Sequence, residues 1–171
     1  MLGFGWFFSI SRGSWSWLPT LLLALGAAAC NRIPAEATAQ HQKVVAALSA
    51  KDKAAVTALV VPAQRTGPLG ITGSLGGVRS DKPASQFTLD DVLDIEFFSD
   101  AKTVEVNDDL KTKMSDDTMW LGATFSYADD SFGVRSLVMK QVEGQWLLDM
   151  KATIERWSES GNGFMVISVK K

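Results

Sequence analysis

The chain is poor in the side chains that most often carry chemistry. Its 171 residues include one cysteine, one histidine and one tyrosine. A single cysteine excludes an internal disulfide, and one histidine with one cysteine cannot assemble a zinc or copper site. Charge is nearly balanced, with 17 Lys and Arg against 19 Asp and Glu, so nucleic acid finds no electrostatic attraction. We therefore expect no cofactor, no metal and no nucleic-acid partner.

The apolar run near the amino terminus ends at the single cysteine. Residues 21–30 read Leu-Leu-Leu-Ala-Leu-Gly-Ala-Ala-Ala-Cys. This stretch resembles the end of a bacterial lipoprotein signal peptide, which implies cleavage after Ala29 and lipid attachment to Cys30. By resemblance to enterobacterial sorting, Asn31 favours an outer-membrane lipoprotein that faces the periplasm. An ordinary secretory signal or a short anchor, with Cys30 incidental, is the alternative.

These features predict a simple domain organisation. Residues 1–29 are the signal peptide, 30–35 are a tether, and 36–171 are one domain with a Gly-rich loop at 62–86. Helical periodicity begins at Glu36, and Asp52 is placed to cap a second helix over Lys53 to Val61. Thr88 and Asp91 form a capping-box pattern that opens a helical turn, Leu89 to Leu93.

After that turn the apolar period falls to two, which predicts strands. The compact turns Asp129-Asp130-Ser131 and Glu143-Gly144 predict an antiparallel meander. The fold class is therefore α+β, with N-terminal helices packed on a curved antiparallel sheet. The predicted strands are Ile95 to Phe98, Lys102 to Asn107, Met119 to Ala128, Phe132 to Val142, Gln145 to Trp157 and Gly163 to Lys170.

Two segments resemble nuclear transport factor 2-like (ketosteroid isomerase-like or cystatin-like) domains. Residues 45–60 read Val-Ala-Ala-Leu-Ser-Ala-Lys-Asp-Lys-Ala-Ala-Val-Thr-Ala-Leu-Val, like the paired opening helices of that family. Residues 142–149 read Val-Glu-Gly-Gln-Trp-Leu-Leu-Asp, like its late hairpin. The resemblance implies helices wrapped over a cone-shaped sheet with a pocket inside. Because members use that pocket differently, the fold alone supplies no function.

The apolar faces of two predicted strands supply a candidate ligand wall. On Gln145 to Trp157, alternation places Trp146 and Met150 on one side and Asp149 on the other. On Met119 to Ala128, Phe125 and Tyr127 share a face. We expect Trp146, Met150, Phe125 and Tyr127 to bind a small apolar ligand, with the tyrosine hydroxyl as the polar tip.

The remaining polar features favour ordinary structural roles. His41 lies among Gln40, Gln42 and Lys43, which predicts a solvated surface position. Four acidic pairs fall at predicted helix starts or turns, where aspartate satisfies backbone groups. Their alternative role is an acidic rim that recruits a basic partner. The pairs are Asp90-Asp91, Asp108-Asp109, Asp116-Asp117 and Asp129-Asp130.

Together these patterns favour a non-catalytic binding module anchored to the membrane by lipid. Its expected partner is a small apolar ligand or an envelope protein, and the domain is expected to be a monomer or weak dimer. One alternative is an immunity or inhibitor lipoprotein that neutralises a toxin or hydrolase through the acidic rim. Another is a small isomerase or dehydratase, for which His41 and Tyr127 are the available acid and base.

Overall fold

The computed structural model describes residues 32–72, 82–99, 101–159 and 165–166, the last two as backbone only. The predicted signal peptide and Cys30 lie outside these residues. The described helices are α1 (Ala35–Ser49), α2 (Lys53–Leu59), α3 (Leu89–Val92) and α4 (Met150–Glu159). The described strands are β1 (Ala101–Lys113), β2 (Thr118–Tyr127), β3 (Phe132–Val142), β4 (Gln145–Leu148) and β5 (Met165–Val166).

The two opening helices form as the sequence predicts. The side chain of Asp52 accepts a hydrogen bond from the backbone N–H of Ala55, which caps α2 at its predicted start. Helix α2 ends at Leu59, two residues earlier than predicted, because Val60 bridges to Leu148 of β4. The apolar stripe of α1 faces the core. Its buried residues are Ala37, His41, Val44, Val45, Ala47 and Leu48.

The capping box at Thr88 is also confirmed. The Thr88 hydroxyl accepts from the Asp91 N–H, and the Asp91 carboxylate accepts from the Thr88 N–H. The helix does not stop there, because Leu93–Phe98 continues it as a π-helical segment. The strand predicted over Ile95 to Phe98 is therefore wrong. Leu93 and Phe97, four residues apart, are both buried on the same side of this segment.

The sheet is an open antiparallel meander in the order β1-β2-β3-β4, with β5 paired to β3. This confirms the predicted α+β class and the predicted turns at 129–131 and 143–144. Glu143 has a φ of 50° and Gly144 a φ of 79°, the left-handed pair that a two-residue hairpin turn requires. Of the strand predicted over Gly163 to Lys170, only residues 165–166 are described, and they form β5.

A wide bulge interrupts β1. Asn107 pairs with Gly122 and Lys111 pairs with the adjacent Leu121. Residues 108–110 of β1 therefore have no partner on β2. Asp108 and Asp109 therefore lie inside an irregular strand and not in the predicted turn. Gly122 is required opposite the bulge, because a Cβ there would lie 2.7 Å from the Leu110 Cβ.

The long strand predicted over Gln145 to Trp157 is wrong. Strand β4 ends at Leu148, and the Asp149 carboxylate accepts from the N–H of Ala152 to start α4. The buried side chains of α4 include Met150, Ile154 and Trp157. Their spacing of four and three residues is helical.

Helix α4 occupies the edge of β3 between the places where β4 and β5 pair. The Asp149 N–H donates to the Val138 carbonyl, and the Val138 N–H donates to the Thr153 hydroxyl at 2.9 Å. Further along, the indole N–H of Trp157 donates to the Ser136 carbonyl at 2.7 Å. These bonds satisfy backbone groups that a neighbouring strand would otherwise have paired.

The loop after α2 is held against α4. The Lys151 ammonium donates to the Gly70 carbonyl at 2.9 Å, and the Glu155 carboxylate accepts from both the N–H and the hydroxyl of Thr72. Leu69 and Ile71 are buried in the core. The polar side chains of residues 149–155 therefore anchor the described part of the predicted Gly-rich loop.

Candidate functional site

The four residues predicted to form a ligand wall are placed by the structure in two different regions. Trp146, Met150 and Phe125 are all buried, and Tyr127 packs against the same core. Trp146 pairs with Gln141 near one end of β3, whereas Phe125 pairs with Gly133 near the other.

Those two pairing positions are eight residues apart along β3, which corresponds to about 26 Å of extended strand. Phe125 and Tyr127 therefore lie together, while Trp146 lies at the opposite end of the sheet. Met150 belongs to the first turn of α4 and not to a strand.

The region around Phe125 and Tyr127 contains a buried arginine that sequence reasoning did not single out. Arg135 of β3 pairs with Ala123 of β2, so its side chain joins the inner face that carries Phe125. Its side chain is only 1% exposed. A fully buried arginine is rare, because a cation leaves water only at a large free-energy cost.

Two aromatic rings lie beside this cation, and a third ring packs against both of them. The Arg135 Cζ lies 4.2 Å from the centroid of the Trp157 ring and 5.4 Å from that of Phe125. Phe97 completes the group, with its ring centroid 5.1 Å from Trp157 and 5.9 Å from Phe125. Such faces attract a guanidinium, and the attraction is strongest where water is excluded. We call Arg135, Glu96, Phe97, Phe125, Tyr127 and Trp157 the Arg135 cluster.

Glu96 supplies the carboxylate of the cluster. Its Oε2 lies 3.5 Å from the Arg135 Nη1, and its side chain is 10% exposed. That separation exceeds the usual 2.7–2.9 Å of a charge-assisted hydrogen bond. Within the described part of the chain, Glu96 Oε1 has no hydrogen-bond partner.

Burial and charge act in opposite directions on Glu96. Burial raises the pKa of Glu96, and the Arg135 guanidinium opposes that rise only in part. Burial also lowers the pKa of Arg135, against the effects of Tyr127 and Glu96. An arginine nevertheless remains cationic. The cluster thus pairs a permanent cation with a carboxylate that burial pushes toward its neutral form.

The cluster is assembled from four elements. The π-helical segment 93–98 brings Glu96 and Phe97, β2 brings Phe125 and Tyr127, β3 brings Arg135, and α4 brings Trp157. A π-helical turn changes the direction of successive side chains and is frequent at functional sites. Here it presents Phe97 to the core and Glu96 toward the surface side of Arg135.

The sequence contained one signal for this cluster. On the predicted strand Phe132 to Val142, the residues that alternate with Arg135 are Gly133, Leu137 and Met139, all buried. A lone charge on an apolar strand face indicates a buried, partnered residue. Its carboxylate partner carried no signal, because Glu96 was assigned to a strand that does not form.

His41 is buried, contrary to its predicted surface position. It is 2% exposed on the core side of α1, and its Nε2 has no hydrogen-bond partner among the described residues. Burial lowers the pKa of His41 to about 4, aided by Lys111 and opposed by Asp108. The neutral form therefore predominates near pH 7, and this residue contributes packing at the β1 bulge.

The acidic pairs are mostly local structural devices. Asp108 pairs with Lys111 at 2.7 Å, and Asp116 pairs with Lys113 at the same distance. Asp129 accepts a hydrogen bond from the Ser131 N–H in the β2–β3 turn. The two lysines partly neutralise the acidic pairs that were the alternative rim. No group of three or more His, Cys, Asp or Glu that suits a metal ion occurs in the described ranges.

None of the helices in the described part of the chain has the length and apolar character needed to cross a membrane. No family model matches the chain, and neither a curated protein nor a solved structure shows significant similarity to it.

The arrangement has a definite chemical capacity. Arg135 offers planar N–H donors that suit a carboxylate or phosphate, and the surrounding rings suit a flat apolar group. Tyr127 is half-buried and Glu96 reaches solvent, so the cluster extends to the surface on that side. Buried apolar walls with a few polar groups are typical of small-molecule sites.

Proposed function

We propose that the protein is a lipid-anchored binding module of the bacterial envelope, and that its Arg135 cluster binds a small, largely apolar ligand. The observation that carries the binding role is the Arg135 guanidinium, which lies 4.2 Å from the Trp157 ring centroid inside the aromatic group. This cluster replaces the predicted four-residue wall and retains two of its members, Phe125 and Tyr127.

Energetics support a role beyond stability. A buried ion pair contributes little net stability compared with apolar residues of similar volume, because desolvation offsets the attraction. Here the attraction is further weakened by the 3.5 Å separation between Arg135 Nη1 and Glu96 Oε2. Core packing alone would be served as well by an apolar residue of similar volume.

Tryptophan resonances test the binding role directly. In full-length protein labelled with ¹⁵N-tryptophan, the indole N–H of Trp157 is titrated with 2-naphthoate and, separately, with 2-naphthalenemethanol. We expect the Trp157 resonance to shift on addition of at least one probe while the Trp120 resonance stays in place. Trp157→Phe and Trp120→Phe variants assign the two signals. Equal shifts at both indoles, or none at either, would count against the site.

The anchor needs a separate experiment. The proposal of a tether rests on the apolar run before Cys30, and intact mass of membrane-extracted protein tests it. We expect a mass that begins at Cys30 and includes acyl chains, with Cys30→Ala losing both the lipid and the membrane fraction. A lipid-free mass in the wild type would leave the binding proposal standing but would remove the envelope tether.

One observation favours proton transfer as a second candidate function. Burial raises the pKa of Glu96, and a general base is most effective when its pKa approaches the working pH. Arg135 is then the group that would stabilise a developing oxyanion. Deuterium exchange into 2-tetralone tests proton transfer by Glu96. Exchange faster than in buffer, and lost in Glu96→Gln, would support this function. An exchange rate in the wild type equal to that in buffer would exclude it for this probe.

A further inference from the structure

His41 is a buried titratable side chain that lies outside the Arg135 cluster. It is 2% exposed on the core side of α1, and its Nε2 has no hydrogen-bond partner among the described residues. A neutral imidazole has one donor and one acceptor nitrogen, whereas an imidazolium has two donors. Protonation in place would bury both a charge and an N–H without an acceptor. Because that is costly, the ring should move when it takes up a proton.

Strand β1 supplies the charged groups that act on His41. Lys111 opposes protonation of the imidazole and Asp108 favours it. These two side chains also bind each other, with 2.7 Å between the Lys111 Nζ and the Asp108 Oδ1. Helix α1 packs against α2, β2, β3 and β4 as well, but no charged group on those elements, or on α1 itself, acts on His41 in the described structure. The charged acceptor for an imidazolium is therefore Asp108.

Asp108 is suited to receive the ring. Its side chain is 74% exposed, and the bond from Lys111 lowers the pKa of the Asp108 carboxyl. The carboxylate therefore stays ionised to lower pH than an ordinary aspartate does. Residues 108–110 have no partner on β2, so they can shift without breaking ladder hydrogen bonds. Within this bulge the Asp109 N–H donates to a side chain, the Asn107 Oδ1, at 3.1 Å.

The N-terminal half of α1 depends on the packing of His41. Pro34, which precedes α1, provides no side-chain hydrogen bond to its first turn. Ala37, His41 and Val44 are buried at spacings of four and three, which places them in one stripe on the helix. His41 is the middle contact of that stripe. Loss of its ring from the core would therefore weaken the attachment of the first turns of α1.

We propose that His41 is an acid-operated latch between α1 and the β1 bulge. In acid its imidazolium leaves the core and pairs with Asp108, and the N-terminal half of α1 separates from β1. The only covalent change is the transfer of one proton from solvent to an imidazole nitrogen. The latch goes beyond the proposed function, because neither residue belongs to the Arg135 cluster.

The direction of the response follows from the burial of the ring. Burial lowers the pKa of His41 to about 4. The neutral, buried form therefore predominates near pH 7, and the latch opens as pH falls toward 4. Opening brings Ala37 and Val44, both fully buried in the closed form, toward solvent.

The single histidine of the chain makes its titration directly measurable. In untagged full-length protein with isotope-labelled histidine, the one imidazole signal is followed by NMR from pH 7.5 to pH 3.5. We expect a midpoint near pH 4. Asp108→Asn should lower the proton affinity of His41 by about threefold, because an exposed carboxylate is partly screened by water. Asp109→Asn, which changes the neighbouring carboxylate, is the matched control and should titrate as wild type.

Hydrogen exchange measures the release of α1. Amide protection over residues 36–45, corrected for the intrinsic effect of pH, should fall by about tenfold or more between pH 7 and pH 4 in the wild type. Protection in β2 and β3 should change less. His41→Leu should keep its protection over 36–45, because leucine takes up no proton. If that variant does not fold, Asp108→Asn replaces it, and its protection should persist to lower pH than in the wild type.

Three results would overturn the latch. A midpoint near the ordinary value of 6.5 would show that the ring is already in water. A midpoint near 4 with unchanged protection over residues 36–45 would show that the proton is accommodated without release of α1. Equal effects of Asp108→Asn and Asp109→Asn on the titration would exclude Asp108 as the specific acceptor.

Discussion

Trp157 contacts Arg135 with its ring face and hydrogen-bonds to the edge of β3 with its indole N–H. Its ring centroid lies 4.2 Å from the Arg135 Cζ, and its indole N–H donates to the Ser136 carbonyl at 2.7 Å. Ser136 directly follows Arg135 on β3, so one side chain fixes both the cation and its backbone. The position of α4 is thus coupled to the geometry of the cluster.

The first prediction concerns the buried ion pair. Arg135→Met leaves the Glu96 carboxylate without its cation, so we expect a loss of about 3 kcal/mol in the free energy of unfolding at pH 7. Without the arginine the pKa of Glu96 rises further. A buried carboxyl group with a raised pKa destabilises the folded state only where it is ionised. The free energy of unfolding of the variant should therefore recover as pH falls toward 5.

Urea unfolding of three proteins decides that prediction. The double variant Arg135→Met with Glu96→Gln should regain most of the lost stability at pH 7, because the Glu96 charge is removed together with its cation. Equal losses in the single and double variants, with no dependence on pH, would show that Arg135 acts through packing alone.

The second prediction concerns the start of α4. The Asp149 carboxylate accepts from the Ala152 N–H at 2.9 Å and from the Gln64 side-chain amide at 2.8 Å. Asp149→Ala should therefore cost about 1 kcal/mol, and Asp149→Asn much less, because asparagine caps helices nearly as well. Chemical denaturation measures both. An alanine variant as stable as wild type would contradict the capping role.

The third prediction concerns His41 and acid. Burial lowers the pKa of His41 to about 4, so the folded state takes up this proton at a lower pH than the unfolded chain does. Stability from this group is present above the ordinary pKa near 6.5 and is lost as pH falls toward 4, by up to about 3 kcal/mol. His41→Leu should flatten that part of the stability–pH curve. Parallel curves for variant and wild type would contradict the assignment.

The fourth prediction concerns the β1 bulge. A Cβ at Gly122 would lie 2.7 Å from the Leu110 Cβ and 2.9 Å from the Asn107 carbonyl oxygen. Backbone cannot retreat as a flexible side chain can, so Gly122→Ala should destabilise by about 1–3 kcal/mol. Ser126→Ala on the same strand is the control, with an expected change within about 0.5 kcal/mol. A neutral Gly122→Ala variant would mean that the bulge rearranges freely.

The sequence predicted the elements whose signals are local. The cap at Asp52, the capping box at Thr88, and strands β2 and β3 with their turns were all readable from short patterns, and the structure confirms them. The fold class followed from their order.

The end of β4 was misread because two periods coincide there. Met150 and Ile154 satisfy a period of two as well as a helical spacing, and Leu147 is buried although alternation placed it outside. The cap at Asp149 was the deciding signal. A two-residue period does not show whether the chain continues as a strand or starts a helix after Leu148. That outcome depends on the edge of β3, which pairs with α4 in place of a longer β4.

The candidate site was only half visible for a related reason. Phe125 and Tyr127 were predicted from strand alternation, and both belong to the cluster. Arg135 lies on an apolar strand face, but its partner Glu96 could not be identified from the sequence. Glu96 lies 39 positions earlier, on the π-helical segment. Pairing between such distant residues is set by tertiary packing, which a single sequence does not display.

The central claim is that Arg135 is kept buried in order to bind a ligand. The most direct measurement is a crystal structure of the protein grown with 2-naphthoate. The account predicts the probe within the Arg135 cluster, with its ring system against the Trp157 and Phe125 rings. A probe that is absent or bound elsewhere would contradict it and leave the cluster as part of the core.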